Sequence, residues 1–549
     1  MSGLEDEAAD DMPSPQGGGH PLRRLYACRR LTAQPAFAGA TALALGALAT
    51  LAFAPFFWWP VLAIAFSGLF ALIARSPSPR AAMARGWWFG LGHFAAGLAW
   101  IAEAFRQRAD VPDALGPPAV LLLAGFLALY PALVGFFWRM QPMRARRGIV
   151  GPISFAALWM LGEYLRGILF TGFPWNPIAS TLSFDARAMQ ILAWLGPHAT
   201  GLVILFWALL PTCWSAWLPP GNRRIALVSA VLFAVIPLAI AGLGMLRIAI
   251  VGDPGPVEGV VLRLVQPAIP QREKWDPDQR AAHLADLLRL SNRLGTPEGE
   301  RLVVIWPEAA ITDYRLAEHP GRRALLARLL PDEAILISGA PRAEKRPDGH
   351  WQVFNSLIVL GSHGELLAGY DKRHLVPFGE FLPFGGIIRR FGLAKLTEGS
   401  IDFSPGRTDP VVSVPGLPPF RALICYEIIF PLVSTEKSSP DPRFLLNLTN
   451  DAWFGEAGGP HQHFAIARMR AVERGIPLVR VAQTGISAVV DPLGRLEGRI
   501  GLGLRSSMDV RLPQPLAKPS FYSRHGEIVF FFLLILILFL AIMPGVRRF

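Results

Sequence analysis

Three segments of the chain each end a short apolar run in a residue that can do chemistry. They are Val303-Val304-Ile305-Trp306-Pro307-Glu308, Gly369-Tyr370-Asp371-Lys372 and Leu423-Ile424-Cys425-Tyr426-Glu427. Strands of α/β sheets commonly gather such end residues into one pocket. A thiol with a reference pKa of ~8.5 is only a few per cent ionised at pH 7, so a nucleophilic cysteine needs a base. A carboxylate can take its proton, and a nearby lysine can hold the oxyanion of a tetrahedral intermediate. Taken singly, each residue has a plain structural reading. Glu308 can cap a helix, Lys372 can be a solvated charge, and Cys425 can be a small buried hydrophobe.

The stretch that must position them, residues 248–524, has strand-length apolar runs and frequent charges, as in an α/β domain. Buried strands are expected at 257–265, 302–306, 334–338, 353–360, 422–426, 444–448 and 478–482, and helices at 276–294 and 461–474. Around this domain the chain changes character. No charge occurs from Leu31 to Ala74, enough helix to cross a ~30 Å hydrocarbon layer about twice. Pro55 and Pro60 break that run, and Phe56, Phe57, Trp58 and Trp59 suit an interface. Further spans are expected at 86–104, 118–138, 148–169, 188–217 (breakable at Gly196-Pro197), 225–246 and, after the α/β domain, 528–546. The expected fold is therefore a polytopic α-helical membrane domain of eight spans carrying an α/β domain. Its divisions are a disordered cytoplasmic tail at 1–34, seven spans in 35–247, the α/β domain at 248–524, and a last span with a cytoplasmic end at 525–549.

Composition agrees. Hydrophobic residues make up 52% of the 549, charged residues 17%, and the mean hydropathy is +0.37. The net charge of +12 arises from arginines scattered between apolar stretches rather than from one basic face, so nucleic acid is not an expected partner. Arginines concentrate in the tail, in alternate loops (Arg75, Arg80, Arg85; Arg139, Arg144, Arg146, Arg147; Arg223, Arg224) and at Arg547 and Arg548. The positive-inside rule then puts both termini in the cytoplasm and the α/β domain on the far side. Ala52-Phe53-Ala54 has the look of a signal-peptidase site, but the apolar stretch that follows at once fits an uncleaved span. Three cysteines, Cys28, Cys213 and Cys425, offer no disulfide framework.

The wording around the three reactive residues resembles the nitrilase superfamily, and within it the integral membrane apolipoprotein N-acyltransferase family. The likeness runs from about the first span to the end of the chain. Trp306-Pro307-Glu308, the run from Asp371-Lys372 to Gly379-Glu380, and Cys425-Tyr426-Glu427 carry it, with Val265-Gln266-Pro267 to Lys274-Trp275, Thr449-Asn450-Asp451-Ala452-Trp453-Phe454-Gly455 and Gly172-Phe173-Pro174-Trp175. Thr312 stands where proline is common, and Asn176-Pro177 follows the last of these segments.

The resemblance implies an αββα sandwich outside the cytoplasm of the bacterial inner membrane. It implies Glu308 as base, Lys372 as oxyanion holder and Cys425 as nucleophile, with Glu380, Tyr426, Glu427, Trp275 and Trp453 in supporting or substrate-binding positions. The implied reaction moves an acyl chain from a phospholipid, through a thioester, to a diacylglyceryl apolipoprotein; no cofactor or metal is called for, and a monomer is expected. Two other readings compete. A membrane-anchored nitrilase-type amidase needs one anchor rather than eight spans. A transporter needs charged spans, and these hold few ionisable residues besides His93, Glu103, Glu163, Arg166 and His198. Glu163 and Arg166 lie at i,i+3 and can pair on one helix face; a functional role at membrane depth and a snorkelling pair near the span's outer end are both open. Asn447-Leu448-Thr449 has a glycosylation pattern within an expected buried strand, and His461-Gln462-His463 lacks the ligand company of a zinc site.

Overall fold

In the computed structural model the long apolar runs form helices and the short ones form strands. It describes residues 35–108, 111–146, 148–214, 223–295, 298–383, 402–431 and 440–543. The expected tail, Cys28 and the terminal arginines lie outside these residues. The helical part comprises α1 (Pro35–Ala49), α2 (Val61–Ala74), α3 (Pro79–Gly97), α4 (Ile101–Arg106), α5 (Gly116–Leu127), α6 (Leu129–Met140), α7 (Val150–Ile168), α8 (Leu192–Leu209) and α9 (Arg223–Val251). Among the described residues, five helical stretches are long and apolar enough to cross a membrane. They are Pro35–Ala52, Asp113–Met140, Val150–Thr171, Leu192–Cys213 and Arg223–Val251; Val61–Ala74 and Ile528–Ala541 are shorter apolar helices.

The third helix departs from expectation. It begins seven residues before position 86, because Ser78 accepts a hydrogen bond from the Ala81 amide and Pro79 takes the first helical position. Arg80 and Arg85 thus sit inside α3 rather than in a loop, and the Arg85 guanidinium binds Ser76 Oγ at 2.9 Å and the Leu72 carbonyl. α3 ends at Gly97, with α4 a separate short helix. Helices α1 and α3 touch backbone to backbone: a Cβ on Gly92 would lie 2.0 Å from the Leu43 carbonyl oxygen. The break expected in α8 is present at Gly196, whose φ of 69° leaves the helical region.

The α/β part begins with β1 (Pro256–Gln266), followed by α10 (Arg280–Ser291), β2 (Arg301–Ile305), α11 (Pro320–Arg328) and β3 (Ile335–Gly339). Strands β4 (Arg342–Lys345), β5 (Trp351–Phe354), β6 (Ser356–Leu360), β7 (Leu366–Asp371), β8 (Val411–Val412), β9 (Phe420–Ile424) and β10 (Phe444–Thr449) come next. The part closes with α12 (Gly458–Arg474), β11 (Leu478–Ala482), β12 (Ser487–Val490), β13 (Leu496–Ile500) and β14 (Ser506–Pro513), and α13 (Ile528–Ile542) follows it. One sheet has the order β14-β1-β2-β3-β6-β7 and the other β13-β12-β11-β10-β9-β8. Each has a parallel centre, β1-β2-β3 and β9-β10-β11, and antiparallel edges.

Strand alternation decides which face is which. Val260, Leu262 and Leu264 point into the core between the sheets with Val303, Ile305, Ile424, Leu446 and Val479. Val261, Val265, Val304 and Trp306 face the other way and pack with Leu287 and Leu290 of α10 and Leu326 of α11. On the second sheet Leu445 and Leu478 pack against Ile466 and Ala467 of α12. The layers are α, β, β, α. That last cluster also contains Phe94, Leu98 and Trp175 of the helical part, so the sandwich rests on the helices through the segment after Cys425.

Two strand expectations need correction. The run 353–360 is not one strand: β5 pairs with β4, β6 with β3, and Asn355 between them leaves both ladders. β9 stops at Ile424 rather than at Tyr426, because Cys425 has a φ of 50° and starts a 3₁₀ turn, Cys425–Ile429.

Candidate active site

Glu308, Lys372 and Cys425 follow the ends of β2, β7 and β9. Beyond β2 the ladder continues for one residue, with the Trp306 amide donating to the Ile337 carbonyl at 2.8 Å, and the Trp306 indole is anchored on Ser291 Oγ at 2.9 Å. The Lys372 amide donates to the Asn355 carbonyl at 2.8 Å, and Asp371 before it is held by Arg342 at 2.7 Å and Ser356 Oγ at 2.6 Å. Each reactive side chain thus starts from pinned backbone.

The polar groups converge. Lys372 Nζ, in a residue only 1% exposed, lies 2.9 Å from Glu380 Oε2 and 3.7 Å from Glu308 Oε1. Asn355 Nδ2 donates to both carboxylates, at 2.7 Å to Glu308 and 2.8 Å to Glu380. Glu380 is turned inward by the Val376 amide at 2.8 Å. Burial opposes the charge of Lys372, but Glu380 and then Glu308 outweigh it and hold the ammonium above its ordinary pKa. One oxygen, Glu308 Oε2, has no hydrogen-bond partner among the described residues. A buried carboxylate oxygen left free in this way is available to a proton.

Burial pushes the Cys425 thiol up to about 12; the charge of Glu308 raises it further and that of Lys372 opposes. The resting group is therefore the thiol. A positive φ at a non-glycine residue costs about 1–3 kcal/mol and persists only where its surroundings fix it. Glu427 does much of this fixing. Its carboxylate accepts from the Ile424 amide at 2.7 Å, the Arg373 and His374 amides at 2.8 and 3.0 Å, and the Tyr370 hydroxyl at 2.8 Å. One side chain so ties the cysteine turn to the lysine loop. Beneath the turn, Asn447 Nδ2 donates to the Cys425 carbonyl at 3.4 Å and His463 Nε2 lies 3.3 Å from it. Asn447 and His463 are fully buried, and the Arg480 guanidinium binds Asn447 and reaches Asp451 at 2.7 Å.

Tyr426 points at the helical part. Its hydroxyl donates to the Gly172 carbonyl at 2.9 Å, and its ring stacks on Phe173 with centroids 6.4 Å apart. The loop carrying these residues follows α7, which also supplies its clamp. Arg166 Nη1 donates to the carbonyls of Phe173 at 2.6 Å and Trp175 at 2.9 Å, while Glu163 accepts from the Ile178 amide at 3.2 Å. Of the two readings left open, snorkelling does not fit: both side chains are buried, they pair at 3.9 Å, and each holds backbone of the loop.

Trp275 stacks on Tyr314, with centroids 6.0 Å apart, and Trp453 is half-buried in the turn Asp451–Phe454. The sequence assigns no role to Asn355, and Lys274 enters it only within a segment that carries the resemblance. An asparagine inside an apolar run is itself a signal, since a buried amide requires partners. Lys274 Nζ donates to the Glu308 carbonyl at 2.9 Å, and burial lowers its pKa to about 8 against the charges of Glu308 and Cys425. Among the described residues no group of three His, Cys, Asp or Glu side chains suits a metal ion.

An αββα sandwich with a cysteine, a lysine and carboxylates at its strand ends, mounted on a bundle of apolar helices, defines a membrane protein with a nitrilase-like domain. The sequence profile of the carbon-nitrogen hydrolases matches residues 262–503, and that of the apolipoprotein N-acyltransferase N-terminal domain matches residues 45–210. An apolipoprotein N-acyltransferase of Rhodopseudomonas palustris is 38% identical, over 91% of this chain and 94% of its own. Those of Bradyrhizobium diazoefficiens and Rickettsia prowazekii are 37% and 33% identical, over 92% and 88% of this chain and 95% and 94% of theirs. A solved amidase from Nesterenkonia is 22% identical over 47% of this chain and 93% of its own, at a TM-score of 0.31. The chain belongs to the apolipoprotein N-acyltransferase family.

Proposed function

We propose that this protein moves a fatty acyl chain from a phospholipid to the α-amino group of the N-terminal diacylglyceryl-cysteine of lipoproteins, by two transfers through a Cys425 thioester. Glu308 Oε2 removes the thiol proton as sulfur attacks the ester carbonyl, and Lys372 holds the oxyanion. Collapse forms the thioester, and the glycerol oxygen leaves with the proton from Glu308 as a lysophospholipid. The acceptor amine then attacks the thioester carbonyl and gives its proton back through Glu308 to the departing sulfur, leaving an amide. Residues 248–524 carry this chemistry on the outer side of the bacterial inner membrane, residues 35–247 and 525–549 hold the spans, and the tail at 1–34 lies in the cytoplasm.

The observation that carries this reading is the Tyr426–Gly172 hydrogen bond. It joins the neighbour of the nucleophile to a loop between apolar helices, and both substrates of the proposed reaction are membrane lipids. A water-soluble amide calls for no such contact, which weighs against the amidase. Intact-mass measurement of the purified protein after incubation with phospholipid should show one added acyl chain, released by hydroxylamine and absent from Cys425→Ala. Acyl mass retained in that variant would move the nucleophile elsewhere. Turnover of soluble amides with no acyl adduct would favour the amidase.

A further inference from the structure

Gln271 lies in the loop after β1, and Asn450 directly follows β10. Asn450 Nδ2 donates to Gln271 Oε1 at 2.7 Å, and both residues are buried, at 6% and 2% exposure. The remaining atoms of the pair, Gln271 Nε2 and Asn450 Oδ1, have no partner among the described residues. Two primary amides joined by one N–H···O bond leave one NH2 nitrogen and one carbonyl oxygen outside that bond, whichever way the joined pair is turned. Buried groups of this kind are costly in a folded chain unless something binds them.

Position adds to this. Thr449, just before Asn450, donates to Asp451 at 2.8 Å, whose partner His463 lies 3.3 Å from the Cys425 carbonyl, and Lys274, three residues after Gln271, holds the Glu308 carbonyl. The same two loops also touch the helical bundle. Arg272 Nε donates to the Arg106 carbonyl at 2.8 Å, and the Phe454 and Trp100 rings meet with centroids 4.4 Å apart. The loops that bear the free donor and acceptor therefore join the nucleophile and base to the helices.

We propose that Gln271 and Asn450 bind the first peptide unit of the acceptor, the bond joining its lipidated cysteine to the second residue. This rests on the acyl-transfer reading above. A peptide unit offers one N–H and one C=O, the complement of what the pair leaves free, whereas the ester groups of a phospholipid accept hydrogen bonds and donate none. Asn450 Oδ1 accepts the peptide N–H and Gln271 Nε2 donates to the peptide carbonyl. The pair thus selects the acceptor in the second transfer and plays no part in the first.

The test separates the two transfers in the full-length protein. Phosphatidylethanolamine vesicles load the enzyme, and intact mass follows thioester formation. A synthetic diacylglyceryl-cysteine peptide is then compared with its analogue N-methylated at the second residue, which lacks the N–H. Wild type should transfer to the analogue about tenfold more slowly, as for one lost hydrogen bond to a buried partner. In Asn450→Leu and Gln271→Met, loading should stay within about threefold of wild type, transfer to the normal peptide should fall about tenfold, and Asn450→Leu should no longer distinguish the two peptides. Equal transfer to both peptides by wild type overturns the inference while leaving the acyl-enzyme intact, as does a loss confined to loading in the variants. A wild-type protein that gains no acyl mass overturns the reading of function itself, and the inference with it.

Discussion

Cys425 and Glu308 are an unequal pair at rest. A thiol pushed up to about 12 is protonated at pH 7, so attack has to be coupled to proton removal by a base already in place. The free Oε2 of Glu308 is the oxygen in the right chemical state for that, since Oε1 is occupied by Asn355. The two carboxylate functions, base and neighbouring charge, pull a Glu308→Gln variant in opposite directions. Removing the negative charge lowers the thiol pKa, so alkylation of Cys425 by iodoacetamide at pH 9 should speed up. Removing the base should slow acyl-enzyme formation by at least about 10²-fold. If acylation stays within about threefold of wild type, well short of the usual effect of a lost base, the proton goes elsewhere.

Among elements, the loop between α7 and α8 joins the two halves of the molecule. Its residues Trp175, Ile178 and Ser180 are buried, and Arg166 bonds its Phe173 and Trp175 carbonyls at once. An unbranched apolar side chain of similar length cannot replace either bond. Leaving a buried carbonyl unpaired costs about 1–3 kcal/mol, so Arg166→Met should lower the melting temperature of the detergent-solubilised protein. It should also slow acylation by long-chain phospholipid by at least about tenfold while largely sparing acylation by a soluble short-chain ester, because Glu308, Lys372 and Cys425 are held by other elements. Equal losses on both donors would make the loop a support for the site rather than a lipid contact.

For the molecule as a whole, the sidedness proposed here depends on charge that lies largely in loops and termini. Two of the arginines counted toward it, Arg80 and Arg85, belong to the first turns of α3, yet they stay at the same end of that helix as Arg75, so their weight in the orientation is unchanged. A reporter fused after Arg247 should be active only outside the cytoplasm, and one fused at the C-terminus only inside. Activity of both on one side would mean an even number of crossings between the two fusion points, so that 528–546 does not span and the eight-span arrangement fails.

What the sequence determined by itself is what its local patterns encode. Uncharged runs longer than a bilayer is thick marked helices, and short apolar runs marked β1, β2, β3, β9, β10 and β11, because burial on both faces leaves no other composition open. The same patterns put Glu308, Lys372 and Cys425 at strand ends. The edge strands β13 and β14 were missed, since half-exposed strands such as Ser506–Pro513 carry little hydrophobic signal. Tertiary structure alone decided the partners. Asn355 interrupts an apolar run and bridges two carboxylates, Glu427 spends its oxygens on backbone 53 and 54 residues away, and Tyr426 meets Gly172 across 254 residues. A buried polar group takes whichever donor or acceptor the folded chain brings within about 3 Å. That distance follows from how two sheets and a helical bundle pack, not from the residues adjoining either group.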